Sequence, residues 1–160
     1  MKCLQCGSQM VSRRENYKYA DSGLTGVTLV NVEVRRCPQC GEYEVVIPRI
    51  EELHRLIALA LTRKPARLAP AEIRFMRKYL GWSGADFAAH IGATPETVSR
   101  WEQGRKAMGV QADRLLRLMV VHREPLSDYS LDVLKGVATE KSRPLRLGVK
   151  VARNGWREAA

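Results

Sequence analysis

Residues 3–7, Cys3-Leu4-Gln5-Cys6-Gly7, return almost unchanged at 37–41 as Cys37-Pro38-Gln39-Cys40-Gly41, and these two pairs use all four cysteines of the chain. Two residues between cysteines allow a tight turn to aim both sulfurs at one point, and the glycine that follows lets the backbone close around them. Two such turns complete a tetrahedral thiolate site. Four soft ligands suit Zn2+ and leave no open position for water, so Cys3, Cys6, Cys37 and Cys40 are expected to form a structural rather than a catalytic centre. Disulfides and a thioredoxin-like redox pair would use the same residues. Lasting disulfides do not suit the cytoplasm, and a redox pair needs only one Cys-x-x-Cys beside a strand-helix-strand pattern that is missing here.

Thirty residues separate Cys6 from Cys37, more than a compact ribbon needs, so folded structure must fill the gap. Met10 to Tyr19 and Val27 to Arg36 read as strands, the second alternating Val30, Val32, Val34 against Asn31, Glu33, Arg35. Asp21-Ser22-Gly23 and Gly26 supply the turn between them, and a third strand is expected over Tyr43 to Ile47. Residues 1–48 thus read as a small zinc-binding β-hairpin module.

After Pro48 the period changes to that of a helix, with Ile50, Leu53, Ile57, Ala60 and Leu61 on one face. Residues 49–69 are a connecting helix and a short basic linker over 63–69. Two readings of the linker stay open, a phosphate contact near the minor groove and a solvated hinge. His54 lies on this helix as a packing or surface residue.

Residues 70–122 hold four short helices with clear punctuation. The first spans about Ala71 to Leu80, with Ile73, Met76 and Leu80 as its stripe and Gly81 at its end. Ser83 caps the second with Asp86 as its capping-box partner, and Phe87, Ala88 and Ile91 face inward. Gly92 permits the turn, Thr94 caps the third helix, Pro95 takes its first position, and Val98 and Trp101 form its buried side. The fourth, Gln111 to Val121, is expected to turn Ala112, Leu115, Leu118 and Met119 to the core. Leu116, Val120, Val121 and Leu126 are then left over for a dimer surface. The fold class is therefore α+β, a four-Cys β module followed by an all-α domain.

Charge follows the same division. Residues 63–122 carry 11 Lys/Arg against 5 Asp/Glu, which is six of the ten net positive charges. Such a basic excess favours a nucleic-acid partner, since phosphates release counterions to it, although basic surfaces also bind anionic membranes or keep a protein in solution. No apolar run has the length of a membrane span, and no secretory leader is visible, so the expected location is the cytoplasm and no membrane partner is expected.

The stretches Arg77-Lys78-Tyr79-Leu80-Gly81-Trp82-Ser83, Phe87-Ala88-Ala89-His90-Ile91-Gly92 and Thr97-Val98-Ser99-Arg100-Trp101-Glu102-Gln103-Gly104 resemble the helix-turn-helix of phage-repressor-like (Xre) regulators. Preceded by two Cys-x-x-Cys-Gly motifs, the chain over residues 1 to about 122 resembles the YgiT-type zinc finger and helix-turn-helix proteins, whose relatives include MqsA-type antitoxins. The resemblance implies a sequence-specific regulator of a double-stranded DNA operator, acting as a homodimer, with a small toxin as partner and autorepression of its operon. A regulator with no toxin is the alternative. It also implies base contacts from the positions of Glu96 and Arg100, with Thr97 and Ser99 on the same exposed side, and an ion pair between Arg77 and Glu102. Ser83, Gly84, Thr94, Arg105 and Lys106 form the phosphate-contacting set. Gly84 departs from the family, which usually has Gln there on a phosphate, and leaves that contact to backbone N–H groups at the helix start.

A thiol oxidoreductase or a hydrolase is the competing class. His54, His90 and His122 stand alone on predicted helices with no triad spacing, so the chain is expected not to be an enzyme. Residues 123–160 form a basic extension without an assigned role. Ser130 to Val137 suits a short helix, Leu145, Leu147, Val149 and Val151 alternate as a strand would, and Asn154-Gly155 marks a turn. Arg143, Arg146, Lys150, Arg153 and Arg157 reach either DNA or only solvent.

Overall fold

The structure, a computed structural model, describes residues 1–123 and 142–159. The expected helix over 130–137 and Leu126 lie outside the described residues. The fold is α+β: N-terminal strands with the four-cysteine cluster, followed by five α-helices.

β1 (Val11–Lys18) and β2 (Val27–Arg36) form the antiparallel hairpin, closed by a 3-10 turn over Ala20–Ser22, and β3 (Tyr43–Val45) pairs with the end of β2. The alternation read from the sequence does not run unbroken through β2. Asn31 takes a left-handed conformation (φ 56), and its N–H is bonded to the Asn16 side chain at 3.0 Å, where the pairing with β1 slips. The inward set is consequently Val27 and Leu29 before the slip and Val32 and Val34 after it, with Val30 only partly covered.

The C-terminal segment supplies β4 (Leu147–Ala152) and β5 (Gly155–Glu158), which continue the sheet in the order β1-β2-β4-β5. β4 runs parallel to β2, Val27 opposite Leu147 and Leu29 opposite Val149, so the two ends of the chain share one sheet. Because β1 runs along one edge of β2, β3 and β4 divide the other.

α1 (Ile50–Arg63) buries Leu53, Ile57, Ala58 and Leu61 in a core continuous with Val27, Leu29, Val32 and Val34. Ile50, read as part of that face, is exposed in the first turn. His54 packs as expected, its Nε2 2.9 Å from the Tyr19 hydroxyl.

α2 (Pro70–Tyr79), α3 (Gly84–Ile91), α4 (Pro95–Glu102) and α5 (Val110–Arg123) follow within two residues of the expected bounds. Ile73, Met76, Phe87, Val98 and Trp101 extend the same core. Two sequence expectations are corrected here. α5 turns Leu116 and Val120 inward, fully buried, while Leu115 and Leu118 are 38% and 36% exposed, the reverse of what apolar spacing assigned to these four; Ala112 and Met119 pack partly buried against the core as expected. The cause is polar: Asp113 and Arg117 lie on the buried face and are completely covered.

The second correction concerns residues 63–69, which are no solvated hinge. Lys64, Ala66 and Leu68 are buried. Arg117 bonds to Asp113 at 2.7 Å and donates to the carbonyls of Thr62, Lys64 and Ala66, while Asp113 accepts the N–H of Leu68 at 2.8 Å. Lys64 donates to Glu72 and to the Arg67 carbonyl, and Glu72 also accepts the N–H of Ala69 at the start of α2. Every polar group in the turn of chain between α1 and α2 that these bonds reach is thereby satisfied inside the protein. Among the described residues no helix is long and apolar enough to cross a membrane.

Candidate metal centre and nucleic-acid interface

Each cysteine pair sits in a turn of the same construction. The N–H of Gly7 bonds to the carbonyl of Cys3 and that of Gly41 to the carbonyl of Cys37, at 2.9 and 3.0 Å, with both glycines at positive φ. Cys3 and Cys37 are buried while Cys6 and Cys40 face outward. The four sulfurs lie within 4.8 Å of one another, with Cys3 to Cys40 at 3.6 Å and Cys6 to Cys37 at 3.4 Å. Those distances exceed the ~2.05 Å of a disulfide. A tetrahedral ion with sulfur bonds of about 2.3 Å has sulfur–sulfur edges of about 3.8 Å. The cluster therefore fits a four-thiolate metal ion, and the donor set suits zinc.

The second constellation is built on α3 and α4. Ser83 and Asp86 exchange hydrogen bonds as a capping box at 3.1 and 2.9 Å, Gly92 turns the chain at φ 68, and the Thr94 hydroxyl accepts the N–H of Thr97 at 3.2 Å. These fix the short 92–94 turn. Trp82 stacks on His90 with ring centres 4.0 Å apart, tying the approach to α3 to its last turn. Sequence spacing could have suggested that contact only after the helix bounds were known.

Val98 and Trp101 bury one side of α4, so Glu96, Ser99 and Arg100 stand exposed, with Thr97 half-covered. The carboxyl of Glu96 is held below the usual carboxylate range by its own backbone N–H, then by the Thr94 hydroxyl and the charge of Arg100. No ion pair joins Glu96 to Arg100 among the described residues. Arg105 and Lys106 emerge exposed just beyond Gly104, their N–H groups both on the Arg100 carbonyl. Ser83 and Thr94 are exposed, and Gly84 is half-covered at the first turn of α3, with open space where a side chain would begin.

Arg77 and Glu102 meet in a two-pronged ion pair, Nε to Oε1 at 2.5 Å and one terminal nitrogen to Oε2 at 2.9 Å. Arg77 also donates to the Trp82 carbonyl at 2.7 Å, joining α2, the turn before α3, and the end of α4. The sequence reading missed Arg74, which donates to the Glu102 backbone at 2.9 Å. Its spacing of three from Arg77 was the available signal. The paired side chains are 13% and 9% exposed, so Glu102→Ala should lower stability by about 2 to 4 kcal/mol, short of the full range for a completely buried pair. A denaturant titration reads this directly. A loss below about 0.5 kcal/mol, the level of an exposed pair, would show that the contact does not hold the helices.

A family model described as the antitoxin component of a bacterial toxin-antitoxin system, MqsA, matches residues 1–129. No curated protein matches the chain.

Proposed function

The chain belongs to the MqsA antitoxin family, and from that premise we propose that it is a cytoplasmic, sequence-specific DNA-binding regulator that pairs with a small toxin and represses its own operon. The observation that carries this reading is α4, a helix anchored by Val98, Trp101 and Glu102 whose remaining side is polar and exposed, with no ion pair at Arg100 among the described residues. As the second helix of a helix-turn-helix, α4 enters a major groove. Arg100 reads guanine through paired hydrogen bonds to O6 and N7, with Thr97 and Ser99 beside it. Glu96, on the same exposed side, accepts from the amino group of cytosine. Ser83, Gly84, Thr94, Arg105 and Lys106 hold phosphates, Gly84 through backbone N–H groups at the head of α3.

Zn2+ held by Cys3, Cys6, Cys37 and Cys40 gives the N-terminal module its rigidity and performs no chemistry. The protein acts by binding and not as an enzyme. A homodimer places two copies of α4 on paired half-sites, and the exposed Leu115 and Leu118 of α5 are apolar surface for that pairing.

The test uses the DNA upstream of the chain's own gene against random duplex of equal length. Arg100→Ala should weaken the cognate fragment by about 1 to 3 kcal/mol per half-site and flatten the preference at one base pair. Arg105→Ala should weaken both fragments alike and reduce the salt dependence. An Arg100→Ala protein that keeps its full preference for the cognate fragment removes α4 from the role of reader.

A further inference from the structure

The described C-terminal segment, 142–159, lies beyond the residues that match the family and makes contacts on two parts of the fold at once. At one end it joins the sheet. β4 buries Leu147 and Val149 beside Val27 and Leu29, the Trp156 indole donates to the Pro48 carbonyl at 2.7 Å, and Arg49 donates to the carbonyl of Ala152 at 3.0 Å. At its other end it reaches the segment between α1 and α2. The Ser142 hydroxyl donates to the Arg67 carbonyl at 3.0 Å, and the Leu145 N–H donates to Glu72 at 2.7 Å.

Glu72 is the meeting point. Its Oε2 takes Lys64 and the N–H of Ala69, and its Oε1 takes Leu145, all inside a site where both Glu72 and Lys64 are buried. From this geometry we infer that residues 142–159 are an intramolecular strap, which locks the sheet to the chain segment that launches α2. When the strap is docked, a buried carboxylate oxygen has its donor. When it leaves, that oxygen has no described donor, and the grip of Glu72 on Lys64 and Ala69 must be shared with water. The state of the sheet is thereby coupled to the entry of the helical region.

The strap also explains a glycine. A side chain at Gly26 would begin 1.7 Å from the Leu145 carbonyl oxygen, an overlap with backbone that nothing nearby can relieve. Gly26 is at an ordinary negative-φ or extended conformation, so alanine is excluded there by the strap alone.

Hydrogen exchange followed by mass spectrometry on the full chain tests the lock. Gly26→Ala should speed exchange in 147–158 by at least about tenfold, and exchange of Leu68 and Ala69 should rise with it, while α3, α4 and the zinc content stay as they were. Leu145→Pro removes the N–H that Glu72 accepts, together with the leucine side chain and the freedom of φ, and should speed Leu68 and Ala69 while β4 and β5 remain protected. Leu145→Ala, which keeps the N–H, should leave Leu68 and Ala69 slow. Two results overturn the proposal: a strap freed by Gly26→Ala with Leu68 and Ala69 unchanged, or Leu145→Pro and Leu145→Ala behaving alike. If Gly26→Ala does not fold, the comparison of the two Leu145 variants decides.

Discussion

Arg117→Met is expected to cost about 3 to 5 kcal/mol of stability. Arg117 is completely buried, and its guanidinium serves Asp113 and three backbone carbonyls, those of Thr62, Lys64 and Ala66. Methionine fills much of the volume but donates nothing. Asp113 keeps the Leu68 N–H yet loses its cationic partner Arg117, and three carbonyls of residues 62–66 lose a donor they cannot replace without admitting water. Many buried ion pairs can be exchanged for apolar residues at little cost, because their attraction scarcely offsets the desolvation of two charges. Here the pair also satisfies the backbone. Converting both residues, Asp113→Leu with Arg117→Met, should therefore recover only part of the loss. Urea titration of the two variants measures both quantities, and a single variant within about 1 kcal/mol of the parent chain would mean that residues 62–68 find other partners.

That network also shows where sequence reading stops. The cysteine turns, the hairpin and the bounds of α2 to α5 are legible because each rests on local chemistry: ligand spacing, turn glycines, caps at Ser83 and Thr94. The inward face of α5 is not. Periodicity counts Asp113 and Arg117 as surface, and it therefore turns the helix to put Leu115 and Leu118 inside. The spacing of four between Asp113 and Arg117 is a signal for an ion pair, but the same spacing is common on exposed helices and carries no information about burial. In β2 Val32 and Val34 face inward as read, but the extra residue at Asn31 puts Val27 and Leu29, and not Val30, on their side. The strand character of 147–152 is readable from alternation. Its partner is not, because parallel pairing with residues 27–30 joins segments more than a hundred residues apart and leaves only one local trace, a glycine at 26 that also suits a turn.

Among the candidate site residues the same distinction applies. Cys3, Cys6, Cys37 and Cys40 are brought together, as are Arg77 and Glu102, because pattern and chemistry coincide there. Glu96 shares the exposed side of α4 with Arg100, but helical geometry alone does not reveal that its surroundings hold its carboxyl below the usual carboxylate range.

Stripping the metal is the second large perturbation, since zinc binding to a four-thiolate site carries apparent free energies of about 10 to 16 kcal/mol at neutral pH. Sequence composition suggests that the whole of residues 1–48 would unfold. The structure narrows the expected damage. The cysteine turns bury almost nothing besides Cys3 and Cys37, Leu4 is 95% exposed, and few hydrogen bonds close each turn. Without an ion, four thiols at this spacing have no attraction that holds them together, so residues 1–10 and 37–42 should lose order. The rest of the sheet has its own support: Val27, Leu29, Val32 and Val34 are buried against α1 and β4 in the core that runs on into the helices. A chelator should therefore abolish protection of the Gly7 and Gly41 amides and make four thiols reactive, while amides in β2 opposite β4 and in α1 exchange as before. Unaltered Gly7 and Gly41 protection in metal-free protein would show that the turns need no ion. Collapse of β2 and β4 together with the turns would show instead that the metal, and not burial of the four inward residues, sustains the sheet.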